Sequence, residues 1–114
     1  VYHTCGGMMP LLEMIVETGT DAMETFSPPE IGGDVDLAEA KKRIGDKVCM
    51  LGGIDQLHVL RNGTPKSIRH FVKKAFKEAG HGGGYIIKPC DDFFHVPPEN
   101  LQAFADAARE CRYN

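Results

Sequence analysis

Two hydrophobic rhythms alternate along the chain. Short runs that are apolar almost throughout, such as Lys47-Val-Cys-Met-Leu51 and Tyr85-Ile-Ile-Lys-Pro-Cys90, are separated by longer stretches in which apolar residues recur every three or four positions. The first rhythm suits strands of a parallel sheet covered on its faces, the second amphipathic helices. The clearest helix is capped by Thr64, has Pro65 in its first turn, and carries Ile68, Phe71, Val72, Ala75 and Phe76 at helical spacing. Lys66, Arg69, Lys73 and Lys77 form its solvated face, and Gly80 ends it. Three further helices are predicted. One runs over Pro10–Thr18 with a stripe of Leu11, Leu12, Ile15 and Val16 and its exit at Gly19. A short one starts at Asp36 as N-cap, with Glu39 three residues on, and turns Leu37, Ala40 and Ile44 inward. The last opens at Pro97-Pro98-Glu99 and turns Leu101, Phe104 and Ala108 inward.

With strands at the extreme N-terminus and over Asp21–Phe26, the chain reads strand–helix four times within one α/β domain, residues 1–114. Such alternation predicts a parallel sheet joined by right-handed crossovers. An open four-stranded sheet and half of an eight-stranded barrel both fit, and in both the chemistry belongs at the C-terminal ends of the strands.

Those ends carry the candidate residues. His3 and Cys5 are two apart at the end of the first strand, so the imidazole and thiol project to one side, and Gly6-Gly7 lets other groups come close. Cys90 stands at the tip of the fourth strand. One imidazole nitrogen and two thiolates make a zinc ligand set with a position left open for chemistry. Glu24 is the candidate proton handler or fourth ligand, Asp55 after Gly52-Gly53 the candidate substrate-orienting carboxylate, and His95 belongs to a loop beside the site. Cys49 reads as core, Cys111 as inert, and His58, His70 and His81 as surface. The Pro- and Gly-rich loop from Phe26 to Val35 is expected to be a mobile rim over the site.

Charge and composition narrow the class. A net charge of -3 and a pI near 5.9 give no footprint for nucleic acid. No apolar run approaches a membrane span and no signal segment is visible. Four well-separated cysteines without a CxxC pair point to a cytoplasmic enzyme with free thiols rather than a disulfide scaffold.

The ordered set His3-Thr-Cys-Gly6, Gly33-Asp-Val-Asp-Leu37, Gly52-Gly-Ile-Asp55, Gly82-Gly-Gly-Tyr85 and Pro97-Pro-Glu-Asn-Leu-Gln-Ala-Phe104 resembles the C-terminal half of the uroporphyrinogen decarboxylase superfamily, a (β/α)8 TIM barrel. The resemblance is nearest to its zinc- and cobalamin-dependent methyltransferase branch. There a His-x-Cys pair and a distant Cys hold zinc, matched here by His3, Cys5 and Cys90. Decarboxylases carry Gly-His-Gly at the end of the last strand, where this chain has Pro89-Cys90-Asp91. Asp91-Asp92 departs from the methyltransferase pattern too, either tuning the metal or lying solvated in a loop.

The resemblance implies that zinc keeps a small thiol such as coenzyme M as thiolate for attack on a methyl group of a corrinoid (methylcobalamin) carried by a partner protein. The competing expectations are tetrapyrrole decarboxylation and a non-catalytic fragment or binding module. Half a barrel leaves an inner face open, so a homodimer of half-barrels is also expected.

Overall fold

A computed structural model describes residues 1–113. Four strands, β1 (Tyr2–His3), β2 (Ala22–Thr25), β3 (Cys49–Ile54) and β4 (Tyr85–Pro89), alternate with α1 (Leu12–Glu17), α2 (Leu37–Ile44), α3 (Pro65–Ala79) and α4 (Pro98–Glu110). The strands lie in the order β1-β2-β3-β4, every neighbouring pair parallel.

The local signals act where the sequence placed them. The Asp36 side chain accepts from the Glu39 amide at the start of α2. Thr64 and Ser67 cap α3 reciprocally, each side chain accepting from the other's backbone N–H. The first helix is shorter than its pattern: Met9–Leu11 form a 3-10 turn, and α1 begins only at Leu12. The third strand runs on beyond Leu51, where its apolar run stops, through Gly52 and Gly53 to Ile54. In the last helix Asn100 and Ala107 are the buried residues, with Phe104 and Ala108 packed beside them, while Leu101, expected to face inward, is exposed. Asn100 earns its place by donating to the carbonyls of Leu60 and Gly63.

The helices pack side by side, α1 on α2, α2 on α3 and α3 on α4. They cover the sheet face bearing Met23, Met50, Ile54 and Tyr85, all buried. The other face runs across the register as His3, Glu24, Leu51 and Ile86, with Lys88 further along β4. It is open enough that Ile86 is 53% exposed. The strand pattern therefore alternates where the sequence predicted burial on both faces: Met50, Gly52 and Ile54 are buried, while Cys49, Leu51 and Gly53 are only half-buried. This open face is the one for which the sequence expects a partner.

The Phe26–Val35 loop is anchored at both ends. Phe26, Ser27 and Val35 are buried, the Val35 amide donates to the Ser27 carbonyl, and Asp34 accepts from the amides of Met8 and Met9. Between these anchored ends Pro29, Glu30 and Gly32 remain exposed.

Ion pairs stitch the helix layer. Glu13 of α1 pairs with Arg43 of α2, and Glu110 of α4 pairs with both Arg69 and Lys73 of α3. Hydrogen bonds from these cations hold the carboxyls of Glu13 and Glu110 down to about 2. A carboxyl depressed on folding stabilises above its unfolded value near ~4.3, and that contribution is lost as pH falls through the folded value. The thermal midpoint is therefore expected to fall between about pH 4.5 and 2, and to fall less steeply in Glu110→Gln. The pairs are exposed, so the effect is modest. Equal acid slopes in the two proteins would show that the α3–α4 clamp contributes nothing.

Candidate metal centre

The short β1 ends at His3, and Gly6 takes a positive φ of 75° immediately beyond Cys5, so the chain turns away while both side chains stay at the open end of the sheet. His3 lies opposite Glu24 in the β1–β2 register, which puts imidazole and carboxylate side by side. His3 Nδ1 is 2.8 Å from Glu24 Oε1, and Lys88 Nζ donates to Glu24 Oε2 at 3.0 Å. The His3 hydrogen bond, followed by that from Lys88, lowers the Glu24 pKa, so this carboxyl is ionised at neutral pH. An ionised Glu24 fixes the tautomer: Nδ1 carries the proton and donates it, leaving the Nε2 lone pair on the far side of the ring.

Cys5 Sγ lies 3.3 Å from that Nε2, and donates to Asp91 Oδ2 at 3.2 Å. One donor atom each from His3, Cys5 and Asp91 fall within 4.8 Å of one another, the one such metal-ligating group among the described residues. The hydrogen bond to Asp91 is the main cause that raises the Cys5 pKa, so the thiol keeps its proton there. Asp91 is lowered in turn, first by the Asp92 amide that donates to its Oδ1 and then by Cys5. A cavity of about 630 Å³ opens beside these groups, lined also by Lys88, Asp92, Phe93 and Phe94.

Not every residue singled out in the sequence is here. His3, Cys5 and Glu24 are brought together. Cys90 is turned away from them: it is fully buried, its Sγ donates to the Phe26 carbonyl at 3.6 Å, and burial pushes its thiol up to about 11. Asp55 also lies apart. Its buried carboxylate accepts from the amides of Leu57 and His58 and from His58 Nδ1, capping the π-helical turn Gln56–Arg61. That turn borders a separate cavity of about 600 Å³ between α2 and α3. His95 is exposed with a positive φ and lies outside the metal-ligating group. His70 and His81 are exposed, as read, and Cys49 is half-buried. Cys111 is half-buried near the end of the final helix, its thiol donating to the Ala107 carbonyl.

Of the two alternatives for Asp91, tuning the metal or lying solvated, its place beside Cys5 favours the first, whereas Lys88 is not singled out by the sequence. A lysine interrupting an otherwise apolar strand, two residues after Ile86 and so on the same face, was the available signal for Lys88.

Four parallel βα units with polar side chains gathered at the strand ends define part of a (β/α)8 barrel fold. The uroporphyrinogen decarboxylase (URO-D) family model matches residues 1–111, and the chain belongs to this family. It is 36% identical over 102 residues to the uroporphyrinogen decarboxylase of Psychromonas ingrahamii, covering 87% of this chain and 26% of that protein. It is 38% identical over 109 residues to that of Aliivibrio salmonicida, covering 92% and 27%. The chain thus spans about a quarter of the length of these relatives. Among solved structures, a methyltransferase from Methanosarcina mazei superposes with a TM-score of 0.75 at 23% identity, covering 95% of this chain and 30% of that one, which is a likeness of fold.

Proposed function

We propose that this chain carries the metal-binding part of a thiol methyltransferase site, in which a divalent ion such as zinc activates a small thiol for methylation from a corrinoid on a partner protein. One observation carries the reading. His3 is held by Glu24 through Nδ1 and presents Nε2 to Cys5, which is the carboxylate–histidine arrangement that accompanies metal-ligating imidazoles.

The donor spacing fits a metal. Ligand bonds of about 2.0–2.3 Å in tetrahedral geometry set neighbouring donors about 3.3–3.8 Å apart, a range that the 3.3 Å of His3–Cys5 just meets and the 3.2 Å of Cys5–Asp91 falls slightly short of. The charge fits as well: Glu24 is balanced by Lys88, which leaves Asp91 and Asp92 to favour a cation. Bound there, the ion supplies a Lewis-acid position at which a substrate thiol ionises near neutral pH. Glu24 keeps the imidazole in its ligating tautomer and orientation. Cys5 gives up to solvent the proton it now shares with Asp91. Phe93 and Phe94 line the cavity as an exposed apolar rim.

Decarboxylation of a tetrapyrrole carboxylate is the second reading, favoured by the 36–38% identity to proteins of that name. The cavity weighs against it. Its lining holds three carboxylates, from Glu24, Asp91 and Asp92, and one lysine already engaged by Glu24, an unfavourable setting for a polyanionic substrate.

Metal analysis tests the proposal. Protein purified without added metal is expected to hold about one zinc per chain, lost in His3→Ala and in Cys5→Ser, because removing one donor of a three-ligand site severely weakens it. Equal metal in the parent and both variants would overturn the reading, and turnover of uroporphyrinogen without metal would put the second reading in its place.

A further inference from the structure

The geometry points to Asp91, not Cys90, as the third metal donor, so that the ion is held by one thiolate and one carboxylate with His3. This inference rests on the metal centre proposed above and specifies its chemistry.

The backbone at the end of β4 decides which residue faces the site. Lys88 points to the open sheet face, where it meets Glu24. Were the strand to continue, Cys90 would share that face, since alternate residues do. The strand ends at Pro89, and the chain bends at Cys90 and Asp91. The Cys90 amide still donates to the Ile54 carbonyl at 2.8 Å, which holds the residue against β3 while its side chain enters the core. There Sγ finds the Phe26 carbonyl, in a segment where Thr25 and Phe26 have φ of 104° and 53° and are both buried. Bringing that sulfur to His3 requires opening a packed and conformationally special junction.

Asp91 needs no such movement. Its Oδ1 accepts from the Asp92 amide at 2.8 Å, and this anchor leaves Oδ2 aimed at Cys5 Sγ, 3.2 Å away. The charge balance of a two-thiolate site is retained, because one thiolate, one carboxylate and a neutral imidazole still neutralise a divalent ion. The donor character changes. A carboxylate gives the ion less electron density than a thiolate, so the open position is a stronger Lewis acid, and the site accepts harder first-row ions such as cobalt(II) alongside zinc.

Cobalt(II) titration reads the donor set directly. The ion bound to a thiolate shows a near-ultraviolet sulfur-to-metal charge-transfer band whose intensity scales with the number of thiolates. The parent protein is expected to show a one-thiolate band. Cys90→Ala should leave band and affinity unchanged, Asp91→Ala should weaken binding by more than about 10-fold, and Asp91→Cys should restore binding with a band near twice the parent intensity. A two-thiolate band in the parent, its halving in Cys90→Ala, or full affinity in Asp91→Ala would overturn the assignment. Circular dichroism of each variant identifies a folding defect, and Asp91→Cys then decides the matter without disturbing the core. Failure of the parent to bind cobalt or zinc at all would remove the metal centre itself, an outcome distinct from binding with two thiolates.

Discussion

Gly52→Ala is expected to cost about 4 kcal/mol or more, an appreciable part of a domain's stability of roughly 5–15 kcal/mol. Gly52 sits inside β3 with φ 137°, a backbone conformation that side-chain-bearing residues rarely adopt. A Cβ there would stand 2.1 Å from the Thr25 carbonyl oxygen, in the strand to which Gly52 is paired. Relief requires moving Thr25 and Phe26, both fully packed, and with them the carbonyl that holds Cys90. It would also disturb the Gly52 carbonyl, which accepts from the buried Tyr85 hydroxyl at 2.8 Å. Gly82→Ala provides the contrast. Gly82 also has a positive φ, 75°, but nothing lies within 4 Å of its added Cβ, so only the backbone cost of about 1–2 kcal/mol applies. Urea unfolding of both variants checks the difference. Equal losses would mean that conformation alone, and not the close approach of β2 and β3, demands glycine at position 52.

The same junction shows where the sequence stopped being legible. Helix caps, turn prolines and amphipathic stripes are local, and Asp36, Thr64 and Pro65 sit where their chemistry placed them. The four βα units and the gathering of His3, Cys5 and Glu24 at strand ends followed from period and parity alone. Parity fails once a strand ends. Parity gives Cys90 the face appropriate to a continuing strand, whereas the bend after Pro89 sends its thiol inward and brings Asp91 beside Cys5. Glycine ordinarily weakens a strand, yet Gly52-Gly53 lets β3 continue past the Thr25 carbonyl. A place at a strand end makes Asp55 a candidate to orient substrate. Its three hydrogen bonds to Leu57 and His58 belong to a π-helical turn that hydrophobic period does not reveal.

Family membership and site chemistry pull in different directions, and the residues explain why. The relatives named as decarboxylases share most of this chain's length, so they share what builds the βα framework. A framework does not specify the reaction at its strand ends. Those ends carry an imidazole, a thiol and a carboxylate within one metal-sized cluster, with a second carboxylate behind the imidazole. That second carboxylate is where the metal reading is most exposed to test.

Glu24→Gln is expected to weaken metal binding about 10- to 100-fold while leaving the fold intact. Glu24 has two different partners, His3 Nδ1–H on Oε1 and the Lys88 ammonium on Oε2, and both are donors. A carboxylate can accept from both. A glutamine amide can accept from only one, because its nitrogen carries protons that must face either the imidazole N–H or the ammonium. Either His3 loses the partner that fixes its tautomer or Lys88 is displaced, and in both cases the negative charge that strengthens the imidazole as a ligand is gone. The side chain is 25% exposed, so the substitution leaves no deeply buried group unsatisfied, and the thermal midpoint should move little. Lys88→Met separates the two roles. It removes the cation but keeps the His3–Glu24 hydrogen bond, and with the carboxylate's charge no longer balanced, affinity should hold or rise. Competition with a chromophoric chelator measures both constants. Unchanged affinity in Glu24→Gln, or an equal loss in Lys88→Met, would show that Glu24 serves the sheet surface and not a metal-bound histidine.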